Sequence, residues 1–161
     1  MIEIRQARAD DRAFIESMVV EAVNWDPGRA PLSREAVAAE PTFDRYLAGW
    51  PRPSDLGMVA EADGVAVGAT WLRFFDATEP GYGFIAEDIP EISIAVAPGW
   101  RGQGIGGRLL DALVDLARAR RIGAISLSVE AANPARRIYE RRGFSQVASD
   151  ADAITMRLDL G

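Results

Sequence analysis

The fold is decided by one stretch, Glu91-Ile92-Ser93-Ile94-Ala95-Val96-Ala97 followed by Pro98-Gly99-Trp100-Arg101-Gly102-Gln103-Gly104-Ile105-Gly106-Gly107. The first seven residues are apolar and β-branched and predict a strand. From Ile105 to Arg121 the pattern turns helical. Ile105, Leu109, Leu110, Leu113, Val114 and Leu116 share one side, and Arg108, Asp111, Asp115 and Arg118 the other. Gly123 reads as the helix stop, and Ala124–Val129 as a further buried strand. Residues 91–129 are therefore a strand–helix–strand crossover, which brings its two strands together in parallel.

The turn inside that crossover carries the chemistry. Gly102, Gly104, Gly106 and Gly107 permit backbone conformations that side chains forbid and let the main chain approach a ligand closely. The N–H groups of the turn and of the first helical turn point outward together, and the helix dipole adds partial positive charge. Arg101 puts a full charge at the rim. One glycine would serve a tight turn; this density beside an arginine reads as an anion cradle of pyrophosphate size. Gly102, Gly104 and Gly107 also spell G-x-G-x-x-G, with Glu130 near the end of the next strand, as a dinucleotide site requires. Two features argue against that site. Residues 98–101 separate the strand from the first glycine, and the remaining chain ends in antiparallel strands rather than further strand–helix units.

Working outward, Ile2–Arg8 reads as a first strand, and Asp10 as the cap of a helix over 11–23 with Phe14, Ile15, Met18, Val19, Ala22 and Val23 as its apolar stripe. Residues 24–53 hold five prolines and admit only short helices, over 33–39 and 42–49. Leu56–Ala62 and Val65–Phe75 flank Asp63-Gly64, a strong hairpin signal. Residues 76–90 form a loop long enough to suggest a functional lid. Asn133 and Pro134 open a short helix that Gly143 closes, and Phe144–Ala148 with Ile154–Leu160 form a final antiparallel pair. No repeat, low-complexity tract or linker divides the chain, so residues 1–161 are expected to form one domain.

Composition narrows the chemistry. The 161 residues carry a net charge of −6, which gives no broad footprint for nucleic acid. There is no Cys and no His, and every one of the 18 basic residues is Arg. Disulfides, thiol nucleophiles, Cys/His metal sites, imidazole bases and Schiff-base chemistry are excluded. Proton transfer must come from carboxylates, Tyr, termini or water, and no metal is expected. The first residues lack the basic-then-apolar run of a secretory signal, and no apolar run of about 18 residues could cross a bilayer. A cytoplasmic setting, away from membranes, is the expectation.

Arg101-Gly102-Gln103-Gly104-Ile105-Gly106 resembles the Arg/Gln-x-x-Gly-x-Gly/Ala signature of the GCN5-related N-acetyltransferase family. Ile94-Ala95-Val96-Ala97-Pro98 resembles that family's fourth strand, and Asn133-Pro134-Ala135, Tyr139 and Gly143-Phe144 its second acetyl-CoA motif. The resemblance is specific over about 91–144 and looser upstream. It implies an α/β fold: a mixed sheet splayed between strands 4 and 5, helices on both faces, and acyl-CoA in the gap. It implies transfer of an acetyl group from acetyl-CoA to a primary amine by direct attack in a ternary complex. A non-catalytic acyl-CoA-binding module on the same fold is the alternative.

Carried over residue by residue, the pyrophosphate falls on Arg101, Gly102, Gln103, Gly104, Ile105 and Gly106. The pantetheine arm falls along Ile94 and Val96, with a backbone N–H near Val96 on the thioester carbonyl. Tyr139 is implied as acid or thiol-positioning group; by itself it reads sooner as an aromatic packed on the sheet with its hydroxyl at the edge. Asn133 reads as a helix cap, and by resemblance also as a contact to the cofactor arm. An acceptor ammonium of ordinary pKa about 10 must lose a proton before attack. Glu91 resembles the general-base Glu of some members, with Glu87 and Asp88 as rivals and a water chain as the other route. Trp71, Phe74, Tyr82 and Phe84 are candidate walls of the acceptor site, the glycine-flanked Tyr82 and Phe84 foremost. Glu79, Glu87 and Asp88 would attract a cationic amine. The acceptor is either a small-molecule amine or a protein amine, and the last strand pair offers an edge for homodimer formation.

Overall fold

Alternation and turn chemistry build seven strands and five helices, described over residues 1–161 by a computed structural model. In order they are β1 (Ile2–Gln6), α1 (Arg12–Val23), α2 (Arg34–Ala39), α3 (Pro41–Asp44), β2 (Leu56–Ala62), β3 (Val65–Arg73), β4 (Glu91–Val96), α4 (Ile105–Ala119), β5 (Ala124–Glu130), α5 (Arg136–Arg141), β6 (Ser145–Asp150) and β7 (Ala153–Asp159). One seven-stranded sheet runs β1-β2-β3-β4-β5-β7-β6. Every neighbouring pair is antiparallel except β4 and β5, the parallel pair of the crossover.

That pair is where the sheet opens. β4 and β5 share a single bridge, Glu91 opposite Ser126, and the Ser126 N–H donates to the Pro90 carbonyl at 3.0 Å. Beyond it the ladder stops and the strands diverge, as the splay implied by the family resemblance requires. On the other side β4 stays zipped to β3 from Glu91–Arg73 to Val96–Gly68. Along β4 successive residues alternate in direction. The N–H of Ala97 turns to Val67 on β3 at 2.7 Å, so the main-chain groups of Ile94 and Val96 face the gap.

Helices cover both faces. α4 lays Leu110 and Leu113 on Leu72, Ile92, Ile125 and Leu127. α1 lays Ile15, Met18 and Val19 on Ala69 and Trp71 from the other side. Each such fully buried aliphatic side chain contributes about 1.5–3 kcal/mol. The β2–β3 hairpin turns on Asp63 (φ 49°) and Gly64 (φ 83°), the double positive φ that a two-residue primed turn demands.

Several local expectations shift. β1 ends at Gln6, and a 3₁₀ turn over Ala9–Asp11 leads into α1. The anchoring carboxylate there is Asp11 rather than Asp10: it accepts the Arg8 N–H at 2.7 Å and two bonds from Arg5. α3 stops at Asp44, not residue 49, because tertiary donors take the next carbonyls. Arg73 bonds those of Arg45 and Ala48, and Trp71 that of Tyr46. α4 is closed not by Gly123 but by Arg121, at φ 61°, with the Ile122 N–H returning to the Ala117 carbonyl. That is a Schellman closure reached without glycine.

Candidate active site

Between the diverging strands lies a cavity of about 1120 Å³. At one end it is floored by the turn before α4. Gly102 and Gly104 have φ of 76° and 80°, and a Cβ on either would meet nothing within 4 Å. A Cβ on Gly106 would come no closer than 3.9 Å to Ile94 and Val96. None of the N–H groups from Gly102 to Gly107 donates to a protein acceptor; the first bonded one is Arg108, to the Gly104 carbonyl. These adjacent donors at a helix N-terminus have no protein partner, as an anion cradle would require. Gly107 has a separate reason: a Cβ there would sit 2.4 Å from the Arg142 guanidinium, which ties α5 to α4 through Asp111.

Arg101 lines the cavity, but its charge is partnered. Its Nη2 meets Glu21 of α1 at 2.9 Å and its Nε donates to the Val96 carbonyl at 3.0 Å. The Gln103 side chain does not line the cavity, and its Nε2 reaches back to the Gly99 carbonyl. Ile105, Ile94 and Val96 line it.

At the closed end stands Glu91, which is no solvated strand-end carboxylate. It is 3% exposed. Its Oε2 accepts the Tyr46 hydroxyl at 2.5 Å and its Oε1 the Gly83 N–H at 3.0 Å. Burial pushes its pKa up to about 7, against the opposing pull of those two donors. Its rivals Glu87 and Asp88 are exposed and lie outside the cavity lining, as does Glu79.

Tyr139 of α5 is buried against Phe144 and lines the cavity. No protein group bonds its hydroxyl, and desolvation raises its pKa, so the phenol stays protonated. By alternation Glu91 shares the α1 face of the sheet with Trp71 and Ser93, whereas Tyr139 packs in the cluster on the α4 face. The two groups approach the gap from opposite sides. Asn133 lines the cavity while its Oδ1 caps the turn before α5, accepting the Ala135 N–H at 2.9 Å.

The 76–90 loop is not a free lid. Tyr82 N–H is held by the Tyr46 hydroxyl at 2.7 Å, and Arg45 bonds the Pro80 carbonyl at 2.9 Å. A Cβ on Gly83 would lie 2.6 Å from the Leu127 carbonyl carbon, so the glycines flanking Tyr82 serve close packing rather than closure. Trp71 and Tyr82 border the cavity as expected; Phe74 and Phe84 do not. Phe74 packs instead against the core under α4.

Two features escaped sequence reading. Tyr46 lies 45 residues from Glu91, in a proline-rich stretch with no motif around it. Glu130, at the end of β5, is engaged across the cleft mouth by Trp25 Nε1 and by both Nη atoms of Arg29. Those bonds hold its pKa below the ordinary carboxylate range. No local signal marks either contact.

A family model described as acetyltransferase (GNAT) family matches residues 17–144. The chain is 41% identical over 128 residues to the N-alpha-acetyltransferase RimI of Mycobacterium tuberculosis, a match covering 74% of this chain and 73% of that one. It is 36% identical over 104 residues to the mycothiol acetyltransferase of Beutenbergia cavernae, covering 63% of this chain and 32% of that protein. The chain thus spans about a third of the length of the mycothiol acetyltransferases it matches. The solved structure of yncA, a putative acetyltransferase from Salmonella typhimurium with its cofactor acetyl-CoA, superposes with a TM-score of 0.73 at 24% identity, covering 99% of this chain and 94% of that one. The seven-stranded mixed sheet with its parallel β4–β5 pair is the fold of solved acetyltransferase structures. The chain belongs to the GNAT acetyltransferase family.

Proposed function

We propose that the protein is an acetyl-CoA-dependent N-acetyltransferase acting on a primary amine by direct attack while both substrates are bound. The observation that carries this reading is the pairing of free amides over Gly102–Gly107 with a buried carboxylate of pKa about 7 at the far end of the same cleft. The cradle suits a pyrophosphate: it has room, open donors and a helix N-terminus. Arg101 lies at its rim, and Ile94 and Val96 offer main-chain groups along the gap for an extended arm. Asn133 stands beside that path through its free amide nitrogen.

When bound, acetyl-CoA supplies a thioester whose carbonyl carbon accepts the amine nitrogen and whose sulfur departs as thiolate. The chain's own groups manage the protons. Glu91 takes the proton that the amine must lose; a carboxyl titrating near neutrality is ionised often enough to accept it and basic enough to hold it. Tyr139 gives its phenol proton to the departing sulfur from the opposite face and recovers one, through water, from the nitrogen as the amide forms. A main-chain N–H near Val96 stabilises charge on the carbonyl oxygen. The acceptor amine belongs to a small molecule or to a protein, and the cytoplasm is the setting this co-substrate suggests.

The test is acetyl-CoA turnover, read as free thiol, across a panel of small amines and peptides with free N-termini. Acceptor-dependent thiol release is expected, with kcat/KM rising with pH through about 7 as Glu91 ionises. Tight CoA binding without acceptor-dependent release would make the protein a non-catalytic acyl-CoA-binding module.

A further inference from the structure

The mechanism above uses Glu91 but not the group that holds it. The Tyr46 oxygen accepts the Tyr82 N–H at 2.7 Å and stands 2.5 Å from Glu91 Oε2. A phenol carries one proton. With the Tyr82 N–H aimed at its oxygen, that proton is directed to Glu91. Gly83 N–H occupies the other carboxylate oxygen. Both oxygens are thus fixed from the protein side, which sets the plane of the carboxylate relative to the cleft.

Tyr46 is itself held from several sides. Trp71 Nε1 bonds its carbonyl at 3.1 Å. Arg73 Nη1 bonds the carbonyls on either side, Arg45 at 2.9 Å and Ala48 at 2.7 Å. Arg73 is clamped by a fully buried Asp55 through two bonds of 3.0 and 2.7 Å. The ring lies edge-on to Phe75 and parallel to Tyr82. Gly81 closes the last side: a Cβ there would stand 2.3 Å from Glu91 Oε1 and 2.8 Å from the Tyr46 oxygen, so only bare main chain fits.

Nothing else near Glu91 competes for its charge. Arg73, opposite it on β3, is taken by Asp55; Arg45 is taken by Pro80 and, at 3.9 Å, Glu79. On α1, Arg12 bonds the Leu47 carbonyl and Glu21 pairs with Arg101. β5 presents Ser126 and, further along the same face, Ser128 and Glu130, the last taken by Trp25 and Arg29; the loop presents Tyr82.

We infer that Tyr46 is a positioning residue for acetyl transfer: its hydroxyl orients the Glu91 carboxylate toward the acceptor amine and tunes the proton affinity of that carboxylate. The inference rests on Glu91 as the base. Tyr46 borders the cleft, but its hydroxyl is spent on Glu91 and the Tyr82 N–H; it acts through the carboxylate, favouring the ionised form by a charge-assisted bond.

The experiment compares the pH dependence of kcat/KM for wild type, Tyr46→Phe and protein carrying 3-fluorotyrosine at position 46. Alongside, the Glu91 carboxyl is titrated by ¹³C NMR, assigned through its loss in Glu91→Gln. Removing the hydroxyl removes a donor to the anion, so the Glu91 titration and the acid limb of kcat/KM are expected to move up together by about one pH unit. The more acidic fluorophenol strengthens the bond and moves both down, with CoA affinity within about twofold of wild type throughout. Where Tyr46→Phe fails to fold, the isosteric fluorotyrosine protein decides. An acid limb that stays in place in the folded variants, whatever the loss in kcat, overturns the inference. Wild-type turnover in Glu91→Gln would instead remove Glu91 as base, a separate failure.

Discussion

Two glycine-rich segments border the same cleft and do opposite things. Before α4, Gly102 and Gly104 adopt positive φ, stand in open space and leave their N–H groups unpaired. In the loop before β4, Gly81 and Gly83 have ordinary backbone angles, are buried and lie within 2.3–2.6 Å, measured from a hypothetical Cβ, of Glu91 or the β5 backbone. One segment leaves donors open to the cleft; the other seals protein against protein. The residue type is the same, and the difference lies in whether the missing side chain frees a torsion or removes a collision. The loop whose length suggests a lid is therefore a packed wall of the cleft, and the glycine-dense turn is the open part.

Substitutions at both segments and at the proton-carrying groups sharpen that contrast. The largest loss is expected from Glu91→Gln, where kcat/KM falls by roughly 10²–10⁴ if the proposed base is removed, while calorimetry finds CoA affinity retained. A drop in CoA affinity of the same size would place Glu91 among the cofactor contacts instead. Tyr139→Phe is expected to lower kcat by on the order of 10² with KM for acetyl-CoA unchanged; turnover equal to wild type removes the acid role. Gly106→Val fills the cradle where a Cβ has 3.9 Å of room. It should weaken CoA binding roughly tenfold to a hundredfold, the worth of one lost bond to a charged group, with an unchanged urea midpoint. Gly83→Ala should do the reverse. The added methyl forces the loop off β5, at a cost of about 1–3 kcal/mol in unfolding free energy, and CoA affinity of the folded fraction stays near wild type. If Gly83→Ala leaves stability intact, or Gly106→Val leaves affinity intact, the contrast between the two segments fails.

Much of the fold was legible because its signals are local. The Asp63-Gly64 hairpin, the α4 stripe and the cap at Asn133 each depend on a few adjacent residues whose torsions or periodicity settle the outcome. The cradle was legible for the same reason, since Arg101 through Gly107 are contiguous. The helix expected over 42–49 shortened because Trp71 and Arg73 supply hydrogen bonds to Arg45, Tyr46 and Ala48, and these donors come from a strand far along the chain. Asp10 and Gly123 were plausible caps by type, yet Arg5 selected Asp11 and the Ile122 return bond selected Arg121.

The amino-acid order alone therefore determined where the glycine-dense turn lies, that a parallel pair flanks it, and that thiols, imidazoles and lysines take no part in any proton chemistry, because each follows from neighbouring residues or from what the chain lacks. Only the folded molecule decided that Glu91 is buried, that Tyr46 and Gly83 hold both its oxygens, and that Tyr139 faces the gap from the other side of the sheet. Desolvation and hydrogen bonding at Glu91 are properties of groups brought together across 45 positions, and no window along the chain contains them.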